Sequence, residues 1–401
     1  MNVNQPEPPN QPLESANLRT SLWELTLLFL RLGSTAFGGP AVHIALMHTE
    51  VVLHRKWLTE QQFLDLLSAT NLIPGPNSTE MALHIGWQRR GIGGLLVAGL
   101  SFMVPAMLIT CALAMVYVRF GSIPSVSWLL YGVKPVMLSV VLQAIWSLAP
   151  KAAPTLMLRG LALLSIVAAL VGVHELLILV GTGLLTVLLS QLRSRDSDPL
   201  SSALLPTLPL VPISTFAFPS AVSLSSLFWV FLKTGSVLYG SGYVLLAFLR
   251  ADLVHRLRWL TESQLMDAIA VGQVTPGPVF TTATFVGYLL AGKTGALLAT
   301  VGIFLPAFVL VALSGPLIPR LRAARSLSSL LQGVNVGSWA LMVAVTLQLG
   351  RAALCDIPAL LLFVMSALLL VRGRMNATWL VLGGALLGWL VHVCGLSHGG
   401  S

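Results

Sequence analysis

Charge is the scarcest feature of this sequence: of its 401 residues only 9% are Asp, Glu, Lys or Arg, against about one quarter in soluble domains. That shortage excludes a soluble domain of useful size. Cysteine is nearly as rare, and Cys111, Cys355 and Cys394 stand far apart inside apolar stretches. They read as small buried hydrophobes, which excludes a disulfide framework or a thiolate metal centre. His392 and His398 beside the last cysteine are too sparse for a metal site. Also missing are a nucleotide-binding glycine loop, a haem-ligand pattern and a clustered catalytic dyad. Direct ATP drive and enzymatic chemistry are therefore not indicated, and no cofactor is expected.

What the chain has instead is hydrophobicity, at 56% of residues and a mean hydropathy of +0.86. Apolar stretches long enough to cross a bilayer recur at 94–118, 126–148, 161–189 and 297–313, the mark of an all-α polytopic membrane protein surrounded by lipid. The net charge of +9 sits in short clusters between these stretches. Basic residues so placed are topology signals, and they offer no continuous face for nucleic acid. The polar, Pro-rich start lacks the basic and apolar regions of a cleavable signal, so residues 1–19 are expected to form a cytoplasmic tail ahead of a retained first span.

The chain also states its pattern twice. FLRLGSTAFGGP, from Phe29, lies over FLKTGSVLYGSG, from Phe231, an offset of 202. At that offset Arg31 meets Lys233, Gly33 meets Gly235, Ser34 meets Ser236 and Gly38 meets Gly240. KWLTEQQFLD lies over RWLTESQLMD, pairing Trp57 with Trp259 and Asp65 with Asp267, and Pro74-Gly75-Pro76 lies over Pro276-Gly277-Pro278. After a one-residue gap the match continues through Gly86 and Gly287, Pro105 and Pro306, and Gly132 and Gly333. Two transporter-like repeats, 20–195 and 224–398, are thus joined by a Pro-rich apolar linker, 196–223, expected to supply an extra span.

Lys and Arg bias alternates between equivalent loops. Loops near 90, 151–159 and 193–195 are richer than their counterparts, and so are those near 320 and 372. Equivalent loops then face opposite sides, with the N-terminus inside and the C-terminus outside. The fold class expected is a duplicated helical bundle with inverted-topology repeats and broken or re-entrant helices.

The breaks carry the chemistry. Thr59 to Gln62 and Thr261 to Gln264 both read T-x-x-Q, a capping box, so a helix starts at each and runs into the Pro-Gly-Pro triplet. Pro74 and Pro76 stop the first, and Asn77, Ser78 and Thr79 suit the start of another; Thr281 and Thr282 offer the same in the second copy. Irregular backbone at membrane depth needs protein or a watery cavity around it, and a new helix N-terminus presents unpaired N–H groups that favour anions.

The segment holding Ser34, Gly38 and Gly39, with its copy around Gly240, forms a second pair of interruptions where glycine admits close backbone approach. Arg31 and Lys233 precede them at equivalent positions, either facing the ligand or snorkelling to the interface. The sum suits a small oxyanion held among Arg31, Ser34, Gly38, Gly39, Pro74, Gly75, Pro76, Asn77, Ser78, Thr79, Lys233, Gly240, Pro276, Gly277, Pro278 and Thr281. Glu80, Asp65 and Asp267 are the carboxylates placed for coupling or gating. His43 and His84 read as satisfied core residues, and Trp57 and Trp259 as interface anchors.

FGGP at positions 37–40, KWLTEQQF at 56–63 and PGP at 74–76, duplicated in a chain of this length, make the sequence resemble the chromate ion transporter family, full-length two-domain type. The resemblance spans essentially the whole chain. It implies fused halves of opposite orientation that expel chromate across the bacterial inner membrane, conferring resistance, with protons as the coupling ion. Sulfate, a similar tetrahedral dianion, is an expected competitor. The second copy departs from the pattern, with Gly240-Ser241-Gly242 in place of Gly38-Gly39-Pro40, so the halves are expected to contribute unequally. A passive oxyanion channel or an uptake protein is the alternative reading, and a homodimer is left open.

Overall fold

The computed structural model describes residues 20–37, 39–71, 73–120, 124–194, 222–239, 242–314, 325–354, 356–373 and 377–393. Among these residues there are helices and turns and no strand, the arrangement that satisfies each backbone group within its own segment in hydrocarbon. The first half runs α1 (Leu22–Thr35), α2 (Pro40–His48) continuing into a π-helical stretch (Thr49–His54), α3 (Glu60–Thr70), α4 (Asn77–Phe120), α5 (Pro124–Ala152), α6 (Leu156–Leu170) and α7 (Glu175–Ser194). The second half repeats the order: α8 (Leu224–Val237), α9 (Leu245–Leu249) continuing into π-helical Arg250–Arg256, α10 (Glu262–Val274), α11 (Thr282–Ser314), α12 (Arg325–Ala353), α13 (Ile357–Gly373) and α14 (Ala377–Val393). The polar tail at 1–19, the linker up to residue 221, Gly38, Gly240, Cys355, Cys394 and His398 lie outside the described residues.

Local rules place the helix starts. Both T-x-x-Q sequences close as reciprocal capping boxes at Thr59 and Thr261, and a third box joins Ser21 to Glu24 at α1. Within α4 the backbone leaves helical geometry at Arg90 and Gly91, and within α11 at Ala291 and Gly292. Gly91 and Gly292 take φ of 59° and 63°, a turn that glycine makes without steric cost. Past each bend the chain doubles back, and Gly86 lies against Gly94 as Gly287 lies against Gly295.

Three hydrogen bonds fix how the first half enters the membrane. Arg89 Nε donates to Thr20 Oγ1 at 2.7 Å, Arg90 Nε to the Thr20 carbonyl at 2.8 Å, and Arg89 Nη1 to the Trp57 carbonyl at 3.2 Å. The start of α1, the turn after the π-helical stretch and the bend of α4 therefore share one face. It follows that α1 with α2, and α3 with the first arm of α4, are two re-entrant hairpins whose tips are the breaks at 36–39 and 71–76. The 14 residues of α1 span about 21 Å, enough to carry its tip past the middle of a core about 30 Å thick.

The halves are inverted. Leu95, near the start of the second arm of α4, shares a cluster with Val311, near the end of α11. At the opposite end of that arm Tyr117 meets Phe285 edge to face, ring centroids 5.1 Å apart, close to the bend of α11. The two long arms thus run antiparallel, and equivalent bends face opposite sides, as the charge bias predicts. The halves also exchange their last helices. Gly333 and Gly337 of α12 admit Thr182 of α7, while Gly132 of α5 admits Gly384 and Gly388 of α14. Five described helical segments are long and apolar enough to cross a membrane: Asn77–Phe120, Leu130–Ala152, Glu175–Leu192, Val279–Ser314 and Ser326–Arg351. Large apolar side chains such as Trp146, Leu156 and Val371 are left exposed on the outside, which a lipid-facing surface requires.

Candidate functional site

The four hairpin tips converge where the halves meet. Gly75 N–H donates to the Leu238 carbonyl at 2.8 Å, and Gly277 N–H donates to the Ala36 carbonyl at 3.0 Å. These are the same bond under the 202-residue repeat: each Pro-Gly-Pro tip is held by the C-cap carbonyl of the other half's first helix. Pro74, Gly75, Pro76, Pro276, Gly277 and Pro278 are all buried. Gly75 and Gly277 take φ of 145° and 90°, conformations an L side chain rarely adopts. A Cβ on Gly277 would lie 2.7 Å from Ala106 Cβ and 2.9 Å from the Gly33 carbonyl, so glycine is also required by space. Gly39 is buried at φ 82° ahead of Pro40 at the start of α2.

The sequence reading expected each tip to open on a cavity. The structure instead shows the tips closed on one another. Beside the second tip a cavity of about 10 Å³, lined by Gly242, Gln273, Val279 and Thr282 among others, has room for roughly one water. Asn77 also differs from expectation. Its side chain reaches back across the break, Nδ2 donating to Asn71 Oδ1 at 3.2 Å, and does not cap α4.

The first turn of α4 is nonetheless polar in an unusual way. Thr79 and Glu80 donate their amides to the Pro76 carbonyl, so the amides of Asn77 and Ser78 precede the first intrahelical bond. Ser78, Thr79 and Glu80 are buried. The Thr79 hydroxyl and both Glu80 carboxylate oxygens have no hydrogen-bond partner among the described residues. The carboxylate packs on Gly75, and Tyr239 lies within its electrostatic reach. In the second half Thr281 hydrogen-bonds the Pro278 carbonyl at 2.9 Å and meets Thr110 of α4 at 3.3 Å. The one-residue gap between the copies lies in the stretch from Asn77 to Ile85, which holds Glu80 in the first half and no carboxylate in the second. The sequence reads His43 and His84 as satisfied core residues; both are buried, but His43 Nδ1 and His84 Nε2 find no partner among the described residues. His43 Nε2 contacts the Ala36 carbonyl at 3.0 Å and so must be the protonated nitrogen of that bond.

Arg31 and Lys233 belong to a second, outlying constellation. Arg31 pairs with Glu50 at 3.5 Å and is 70% exposed, whereas Lys233 pairs with Asp252 at 2.5 Å and is 23% exposed. His54 and Arg256 reach the same carboxylates, and His48–Glu60 corresponds to Arg250–Glu262. These duplicated pairs tie α1 and α8 to the π-helical stretches. Sequence reasoning missed them, although the 202 offset aligns Glu50 with Asp252 and Glu60 with Glu262. Ser34 donates to the Leu30 carbonyl of its own helix at 2.6 Å. Asp267 is buried between halves, accepting from Tyr117 at 2.9 Å and lying 3.5 Å from Lys134; Asp65, its counterpart on α3, is half-buried. Trp57 lies beneath Arg55 and Arg89, at 5.0 and 5.8 Å.

A buried pair of helix breaks with polar first turns can accept an anion, provided the tips part to admit it. The family described as chromate transporter matches this chain twice, over residues 23–187 and 225–389. A chromate transport protein of Cupriavidus metallidurans is 29% identical, the alignment covering 97% of this chain and 99% of the relative. One from Pseudomonas aeruginosa is 30% identical with 92% of each chain covered. An uncharacterized transporter of Methanocaldococcus jannaschii is 28% identical over 94% of this chain and 96% of its own. No solved structure matches the chain significantly.

Proposed function

The chain belongs to the chromate transporter family, and from that premise we propose that it is a secondary transporter that exports chromate from the bacterial cytoplasm across the inner membrane. It is a transporter and not an enzyme. The observation that carries the reading is the reciprocal pair of hydrogen bonds, Gly75 to Leu238 and Gly277 to Ala36. Inverted repeats that meet at paired breaks have two equivalent ways to part, one opening to each side, and that is the geometry alternating access needs. Chromate binds when the tips separate, against the amides of Asn77 and Ser78, the hydroxyls of Thr79 and Thr281, and the glycines of both tips. Sulfate, of the same shape and charge, competes. Residues 20–195 and 224–398 act as the two moving repeats.

The proton motive force drives export through its electrical component. An interior-negative potential favours outward movement by about 2.3 kcal/mol per charge per 100 mV, so by roughly twice that for a bare dianion. Glu80 takes up a proton together with the anion, since an ionised carboxylate and a dianion repel each other in one buried space; that proton leaves with chromate, so the electrical component alone carries the drive, while Asp65 and Asp267 serve the movement of their hairpins. Proteoliposomes with an imposed potential and proton gradient test the proposal. Chromate should accumulate on the side the gradients dictate, collapse with a protonophore, and be inhibited by sulfate. Flux that simply follows the chromate gradient, with the protonophore present or absent, identifies a channel and refutes the transporter.

A further inference from the structure

A cavity also lies away from the tips. It measures about 460 Å³ and lies between the halves, lined by the α6–α7 turn of the first and by the π-helical stretch and α12 of the second. The π-helical stretch that lines it continues α9, the helix that follows the second tip. The polar lining of the cavity is Arg250, Arg256, His174, His255, Glu175 and Gln348, and the two guanidiniums pair with Glu262, Asp252 and Glu175 around it.

Donors outnumber acceptors within this lining. Arg256 Nη2 points at His174 Nε2 from 2.7 Å while the Leu176 amide points at His174 Nδ1 from 3.2 Å. A neutral imidazole has one accepting nitrogen and a charged one has none, so His174 can serve only one of the two, and the other acceptor near Arg256 Nη2 is Glu175 Oε2 at 3.8 Å, beyond hydrogen-bond distance. Gln348 accepts from Arg250 through Oε1, which leaves its amide N–H groups as further donors. Both guanidiniums are anchored from behind, Arg250 by Glu262 and Arg256 by Asp252, and so stand preorganised at the cavity wall. The repeat makes the feature one-sided: Arg250, Arg256 and His255 correspond to His48, His54 and Leu53.

We propose that this cavity is an outer anion site that captures a tetrahedral dianion before it reaches the tips, with Arg256 and His174 as its principal donors. The inference rests on the transport reading for its ligand and adds a second binding place for it. An entering oxyanion supplies the close acceptor that His174 cannot, through charge-assisted hydrogen bonds from the anchored guanidiniums. Because only the second half carries the arginines, capture is stronger from one side of the membrane than from the other.

The test uses the full-length protein with its three cysteines replaced and Ala251, which lines the cavity, changed to cysteine. Sulfate, which does not oxidise thiols, serves as the probe anion. Sulfate should slow labelling of Ala251→Cys by a water-soluble maleimide at least threefold, and this protection should vanish with Arg256→Gln or His174→Phe added. In proteoliposomes Arg256→Gln should raise the chromate KM roughly five- to tenfold at unchanged maximal rate. Labelling indifferent to sulfate, or protection that survives both substitutions, overturns the outer site. Should wild-type protein show sulfate protection without any chromate transport, the outer site stands and the transport reading falls.

Discussion

Replacing Gly277 with alanine perturbs the contact on which the two halves depend, and its cost follows from two separate terms. The left-handed backbone at φ 90° penalises a Cβ by about 1–2 kcal/mol. Crowding adds to this, because the new methyl would lie 2.7 Å from Ala106 Cβ and 2.9 Å from the Gly33 carbonyl, an overpacking worth about 1–3 kcal/mol. Together they predict a loss of about 2–5 kcal/mol, felt as a separation of the tips. Gly292 provides the control: its φ is 63°, yet nothing lies within 4 Å of the added Cβ. Gly292→Ala carries only the backbone term, its ψ of -152° lying in an essentially glycine-only region worth about 1–3 kcal/mol, partly offset by the stiffer unfolded chain. Thermal inactivation of the two purified variants in detergent should rank Gly277→Ala below Gly292→Ala and wild type, with chromate flux lost in the first alone. Equal inactivation temperatures for the two variants would refute the reasoning, because the tip would then have room it is not shown to have.

Two further substitutions probe the surrounding charges. Glu80→Gln keeps the shape of a buried side chain that has no hydrogen-bond partner among the described residues; it should insert and melt like wild type while proton flux accompanying chromate, followed with a pH dye in proteoliposomes, disappears. Unchanged coupled flux would remove Glu80 from the mechanism. Asp252→Asn strips the partner from Lys233 and Arg256 in a half-enclosed cluster whose carboxylate is 4% exposed, and breaking such a buried pair costs about 3–5 kcal/mol. Its counterpart Glu50→Gln faces an Arg31 that is 70% exposed and should cost about 0–1 kcal/mol. Similar melting losses for both would show that the duplicated networks carry equal weight.

The architecture was legible because membrane insertion and duplication both leave linear marks. The offset of 202 shared by Phe29 and Phe231, the capping boxes at Thr59 and Thr261, and the one-sided arginines at 89 and 90 each encode a local structure or a face of the bilayer. Contacts between distant segments leave no such mark. Nothing near Gly75 announces that its amide will meet Leu238, and so the tips were expected to border open space when they in fact close on each other. The sequence leaves open whether Arg31 and Lys233 face the ligand or the interface, because the carboxylates they meet lie about twenty residues on, across a hairpin that only the fold brings together. The capacity of the cavity at Arg256 was hidden for the same reason, since its donors come from both halves.

The meeting of the two tips at the interface of oppositely oriented halves is tested most directly by joining them covalently. Thr110 and Thr281 come from different halves, are both buried, and hold their hydroxyl oxygens 3.3 Å apart. With Thr110→Cys and Thr281→Cys in a chain otherwise free of cysteine, and a protease site placed in the 196–223 linker, oxidation followed by cleavage should leave one band of full-length mobility that reduction splits in two. Two separate halves after complete oxidation would contradict the account.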